Sequence, residues 1–170
     1  TLRCCYCQNY PWSQDGQGED CSGSQLSAIL EGLHTRGCHN WNLVSPTPWL
    51  PQIRAAARPL IARDIRLPFV YNTSGFESID TLDAYRDLVD IALTDLRYAH
   101  PVTAAAASLA TDYVETSRRA LIWFWNELGS LQTDTDGIAR QGTICRLLVL
   151  PGHADEAVEN LAWISRHIGT

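Results

Sequence analysis

The chain has 170 residues and carries 13 basic against 19 acidic side chains, a formal net charge of −6. At 45% hydrophobic and 19% charged, its composition is that of a folded domain able to bury roughly 70% of its unfolded surface, which excludes a disordered or fibrous chain. The acidic balance argues against general nucleic-acid binding, and the longest apolar run, Ala120 to Trp125, falls far short of the ~20 residues that span a membrane.

In chain order, the first signal is the crowded segment Cys4-Cys5-Tyr6-Cys7. Gln25 to Arg36 then repeats Leu26, Ile29, Leu30 and Leu33 at helical spacing, with Ser22 or Ser24 as N-cap and Gly37 as stop. His39 to Ser45 reads as a strand ended by Pro46. Trp49 to Arg63 is helical in pattern, and Pro59 should kink or shorten it. Leu67 to Asn72 is a short apolar strand running into Thr73-Ser74-Gly75. Ser78 to Leu88 reads as a helix, Val89 to Leu93 as a strand leading into Thr94-Asp95-Leu96-Arg97. Residues 99 to 112 read as a connection. Asp112 to Leu128 is a long helix closed by Gly129, with Trp123-Phe124-Trp125 as a core stripe. Gln132 to Gly137 reads as a polar loop, Thr143 to Leu150 as a fourth strand, and Asp155 to His167 as a last helix.

Strands alternating with helices of 10–15 residues predict β-α-β units, a parallel sheet and an α/β fold in one domain over residues 1–170. Polar residues gather where strands hand over to loops: Ser45 and Thr47, Asn72 and Thr73, Thr94 and Asp95. In parallel α/β folds that carboxyl-end rim is where ligands bind, although the same residue types also serve simply as caps and turn formers.

Six cysteines lie at positions 4, 5, 7, 21, 38 and 145. A chain with this much core does not need a disulfide framework, so Cys21, Cys38 and Cys145 read as buried or incidental thiols. The Cys4-x-x-Cys7 spacing admits half a zinc site, a redox dithiol or iron–sulfur ligation. No second Cys-x-x-Cys follows, and His34, His39, His100, His153 and His167 show no ligand spacing.

Thr1-Leu2-Arg3-Cys4-Cys5-Tyr6-Cys7-Gln8-Asn9 resembles the tail of the radical S-adenosylmethionine (SAM) signature, Cys-x-x-x-Cys-x-x-Cys. Asn72-Thr73-Ser74-Gly75-Phe76 is similar to the Asp-Thr-Asn-Gly-Phe segment of pyruvate formate-lyase activating enzymes. Leu93-Thr94-Asp95-Leu96-Arg97 is similar to their Leu-Asp-Leu-Lys, and Arg146 to Gly152 to their Arg-x-x-Val-x-Pro-Gly. Val44-Ser45-Pro46-Thr47-Pro48-Trp49-Leu50-Pro51-Gln52-Ile53 is closer to a branch of iron–sulfur proteins related to those enzymes.

The resemblance implies a partial (β/α)6 barrel of which this chain holds about four units plus the cluster loop. The first strand would precede Thr1 and the sixth would follow Thr170. The absence of Met and the start at Thr1 agree with a piece of a longer protein, and six units scale to roughly 190 residues from the ~250 of an eight-unit barrel. It further implies a 4Fe–4S cluster with Cys4 and Cys7 as two of three ligands, the third immediately before Thr1. The implied activity is reductive cleavage of SAM to a 5′-deoxyadenosyl radical for hydrogen abstraction, with an activase of glycyl radical enzymes as one form of it. Tyr6 would lie against the adenine. Asn72, Thr73 and Asp95 would supply polar groups around SAM or a nearby cation, and Arg146 would contact SAM or form an ion pair with Asp95. Pro46-Thr47-Pro48 stands where the activating enzymes have Gly-Gly-Glu, so a hydroxyl of Ser45 or Thr47, or freed carbonyls, would have to meet the methionine ammonium. No catalytic residue is singled out. Expected partners are an unidentified substrate, which a partner protein could provide, and an electron donor such as flavodoxin or ferredoxin, with no nucleic acid and no membrane, in the cytoplasm. The competing reading is a non-catalytic α/β module holding zinc or bare thiols, or an inactive truncated remnant.

Overall fold

The computed structural model describes residues 2–168. Four parallel strands, β1 (Trp41–Val44), β2 (Phe69–Thr73), β3 (Ile91–Leu96) and β5 (Ala139–Leu147), are joined by a short β4 (Gln132–Thr133) that pairs antiparallel with β5. The order across the sheet is β1-β2-β3-β5-β4. Around it run α1 (Tyr10–Ser13), α2 (Gly23–Thr35), α3 (Leu50–Ile61), α4 (Ile79–Ala84), α5 (Pro101–Ser108), α6 (Tyr113–Leu128) and α7 (Ala154–His167). The expected α/β fold is therefore present, as a mostly parallel five-stranded sheet flanked by helices.

Local chemistry accounts for most boundaries. Ser22 and Gln25 form a reciprocal capping box at the start of α2, Ser22 Oγ accepting from the Gln25 N–H at 3.2 Å and Gln25 Oε1 from the Ser22 N–H at 2.8 Å. Of the predicted apolar face, Leu30 is buried and Leu26 and Leu33 pack on the core, while Ile29 stays 51% exposed. Pro59 lies inside the last turn of α3, where it gives no N–H to the Ala55 carbonyl, and the helix ends two residues later, at Ile61.

Three readings of the sequence are corrected. Residues 99 to 112 are no mere connection: α5 occupies Pro101–Ser108, with Pro101 in its first turn and Leu109 in left-handed conformation at its end. The polar stretch from Gln132 is a hairpin, turned by Asp134, whose carboxylate accepts from the N–H groups of Asp136 at 3.0 Å and Ile138 at 2.9 Å. The last parallel strand starts at Ala139 and ends at Leu147 rather than running from Thr143 to Leu150.

Register sorts the side chains. Leu43, Tyr71, Ala92 and Thr143 are aligned across the sheet, and the first three belong to or pack on the main core with Trp41, Phe69 and Phe124. Alternation places the next row, Val44, Asn72, Leu93 and Ile144, on the opposite face. That row is less covered than the core face: Val44 is 59% exposed, and Asn72, Leu93 and Ile144 are half-buried. Asp95 and Arg146, also in register, extend this face to the carboxyl end of the strands.

A second, smaller core joins Tyr98, Ala104, Ala110, Tyr113 and Val114, with Leu2, Tyr6, Phe76 and Leu150 packed against it. It seats the cysteine segment. The N–H groups of Arg3 and Cys5 donate to the carbonyls of Ser108 (3.3 Å) and Ala107 (2.9 Å), which are among the last-turn acceptors an α-helix leaves unused.

Candidate metal and cofactor site

The cysteine segment lies at the end of the sheet where β3 hands over to Arg97. Cys7 N–H donates to the Cys4 carbonyl at 3.2 Å, so both thiols belong to one tight turn. Cys4 is buried, Cys5 exposed and Cys7 half-buried. The Cys4 sulfur accepts from Arg97 Nη1 at 3.0 Å and from the Ser108 hydroxyl at 3.0 Å. Cys7 Sγ has one hydrogen bond, with Ser13 Oγ at 3.2 Å.

Asp95 is the electrostatic centre of the rim. Its Oδ2 accepts from Arg97 Nε at 2.9 Å and Nη2 at 2.6 Å, and its Oδ1 from Arg146 Nε at 2.6 Å. Burial works against the Arg97 charge, but the adjoining Asp95 carboxylate outweighs it and holds the Arg97 pKa above its ordinary value. One carboxylate between two guanidiniums leaves a net positive charge, and the Arg146 side chain is 54% exposed. A continuous hydrogen-bonded line thus runs from Cys4 through Arg97 and Asp95 to Arg146.

The other predicted residues separate into two groups. Tyr6 and Asn72 stand apart from Glu77: Tyr6 packs on the second core, its hydroxyl meeting that of Tyr98 and its pKa raised chiefly by burial, and Asn72 lies on the open face, its Nδ2 reaching Asn42 Oδ1 at 3.4 Å. Ser45 takes a left-handed backbone with φ of 50° and donates its N–H to the Asn72 carbonyl at 2.8 Å, turning the chain off β1. Thr47 and Thr73 are instead committed to Glu77. The Thr47 hydroxyl lies 2.8 and 2.9 Å from the two Glu77 carboxylate oxygens, and Thr73 Oγ1 donates to Oε1. The Thr47 proton is thereby committed to Glu77, which leaves its oxygen the role of acceptor, the role a ligand ammonium would ask of it.

Glu77 itself was not singled out from the sequence. It is 6% exposed, and burial pushes its pKa above the ordinary value against the opposing hydroxyl bonds. Tyr113 is the other unforeseen member. Its buried hydroxyl donates to the Ser74 carbonyl at 2.7 Å and accepts the Arg97 N–H at 3.2 Å, tying the loops after β2 and β3 together. Apart from the bond between Thr73 and Glu77, four residues apart, their contacts run across elements, to Thr47 and to Ser74, where no local pattern marks them. Gly75 did carry a signal: at φ of +80°, a Cβ there would lie 2.3 Å from the Asp95 carbonyl oxygen, so only glycine lets these loops close on each other.

The donor set suits soft-metal ligation in its chemistry. A cation and a hydroxyl aimed at the Cys4 sulfur suit a thiolate, and two thiols on one turn suit a cluster loop. Among the described residues no group of three or more His, Cys, Asp or Glu side chains is placed to hold a metal ion, so Cys4 and Cys7 can supply two ligands only. Cys145 is aligned with Thr73 and Thr94, on the face of the sheet opposite Asp95 and Arg146, and burial pushes its thiol up to about 12. No family model and no curated protein matches the chain.

Proposed function

We propose that the chain is the core of a radical SAM iron–sulfur enzyme, part of a (β/α)6 barrel, with Cys4 and Cys7 as cluster ligands and a third cysteine immediately before Thr1. The observation that carries this reading is the line Cys4–Arg97–Asp95–Arg146, which joins the thiol turn to the polar carboxyl-end rim of a parallel sheet. When bound, a 4Fe–4S cluster with one open iron supplies the electron that cleaves SAM to methionine and a 5′-deoxyadenosyl radical for hydrogen abstraction from a substrate.

The residues of the chain have simpler tasks. Cys4 and Cys7, at the two ends of one turn, would supply two of the cluster's thiolate ligands. Arg146, half-exposed and sharing Asp95 with Arg97, offers the N–H groups that Asp95 does not engage to the methionine carboxylate. Asn72 on the open face, the exposed Ser45 and the Thr47 oxygen, whose proton goes to Glu77, are the acceptors available to the ammonium. Tyr6, packed on the second core, presents its ring beside the thiol turn for the adenine.

The test is anaerobic reconstitution of the full-length protein with iron and sulfide, followed by reduction in the presence of SAM. Near-equal iron and sulfide and the appearance of 5′-deoxyadenosine are expected, with both lost in a Cys4→Ala, Cys7→Ala double variant. Stoichiometric zinc without sulfide, and no nucleoside above that control, would establish the non-catalytic reading instead.

A further inference from the structure

The two cysteines of the turn are not equivalent. Cys4 receives two hydrogen bonds in a site where it is only 6% exposed, whereas Cys7 exchanges a single one with an exposed serine. The donors to Cys4 are themselves held from behind. Asp95 Oδ2 takes Nε and Nη2 of Arg97, leaving Nη1 for the sulfur. The Ser108 hydroxyl has one proton; once it is given to Cys4, the contact with Tyr98 is made by the Tyr98 proton, and the contact between Tyr98 and Tyr6 by the Tyr6 proton. Three hydroxyls therefore point one way, Tyr6 to Tyr98 to Ser108, and end on sulfur. Such a chain polarises along its length.

We infer that Arg97 and Ser108 are positioning residues that raise the reduction potential of a cluster bound through Cys4, by donating a charged and a neutral hydrogen bond to its sulfur. This rests on the iron–sulfur reading proposed above. Reduction adds one electron from an external one-electron donor, with no bond made or broken and no proton moved. The added negative charge spreads onto the ligand sulfurs, so donors and a nearby cation stabilise the reduced form more than the oxidised one. Arg97 cannot lose its charge, its side chain is 18% exposed, and solvent screens it little. Cys7, by contrast, contributes no comparable bias.

The experiment is a spectroscopically monitored redox titration of the reconstituted full-length protein and of its Ser108→Ala, Arg97→Gln and Arg97→Lys variants, each with iron and sulfide content measured. Ser108→Ala and Arg97→Gln should both shift the midpoint downward. The Arg97→Gln shift should be the larger, on the order of a tenfold change in the reduction equilibrium, which is about 59 mV for one electron. Arg97→Lys should recover most of it. A merely structural role would lower cluster content without moving the midpoint. Unchanged midpoints at full iron content would overturn the inference while leaving the enzyme reading intact. If Arg97→Gln fails to hold a cluster, Ser108→Ala, which removes one oxygen, decides alone. Absence of any iron–sulfur cluster in the wild-type protein would overturn the parent reading instead.

Discussion

A carboxylate closed off among hydroxyls, as Glu77 is, titrates above its ordinary value because burial penalises its charged form more than the bonds from Thr73 and Thr47 repay. The sign for stability follows by linkage. Because the folded-state pKa is raised, the folded protein binds more protons than the unfolded chain from the ordinary value of 4.5 upward, so this residue's contribution weakens as pH rises through the folded pKa. Glu77→Gln keeps an acceptor for the two threonines and removes the charge. The melting temperature of the variant relative to wild type should therefore increase steadily between pH 4.5 and the folded pKa, and a pH-independent difference would refute the assignment. Gly75 and Tyr113 belong to the same junction: one allows the loops after β2 and β3 to approach, the other bonds them together.

The elements that matter for the site are short ones. α5 has eight residues, too few to be stable alone. It is secured at its start by Glu156 of α7, whose carboxylate accepts from the N–H groups of Ala99 at 2.8 Å and His100 at 3.1 Å and from Thr103 Oγ1. Its last carbonyls in turn hold the cysteine segment. The final helix thus supports the thiol turn through α5, although neither α7 nor α5 touches a proposed ligand except through Ser108. α2, by contrast, depends on its own cap. Ser22→Ala removes the hydroxyl that accepts from Gln25 N–H and should cost about 1 kcal/mol, measured as a lowered denaturation midpoint with unchanged cluster content. A loss of cluster content on this substitution would show that α2 is coupled to the site after all.

For the whole molecule, two cores divide the labour. The main one packs the sheet against α2, α3, α4 and α6, and Phe124 lies fully buried within it, 5.9 Å between ring centroids from Tyr71. Phe124→Ala should destabilise the fold by about 3–5 kcal/mol, measured by denaturant unfolding; a loss under about 1 kcal/mol would mean that the site collapses around the cavity. The second core, around Tyr98 and Tyr113, binds the thiol turn to the end of β3.

What the sequence determined by itself is whatever a short window can encode: the helical repeats of α2 and α6, the stop at Pro46, the parallel α/β order and the polar residues at strand ends. It also foresaw the pairing of Arg146 with Asp95 as one of two roles, because opposite charges near strand ends have few places to go. The hairpin at Asp134 was not read from the sequence, because the strand that enters it is only two residues long and leaves no alternating pattern. The rest was decided by the tertiary structure. α5 exists because Glu156, some fifty residues downstream, caps it; Thr47 turns to Glu77 because β1 and β2 lie side by side. Cys4 differs from Cys7 because Arg97 and Ser108 arrive from elsewhere in the chain. Such contacts couple residues thirty to a hundred positions apart, and their energy depends on where the folded backbone brings them, which no local periodicity records.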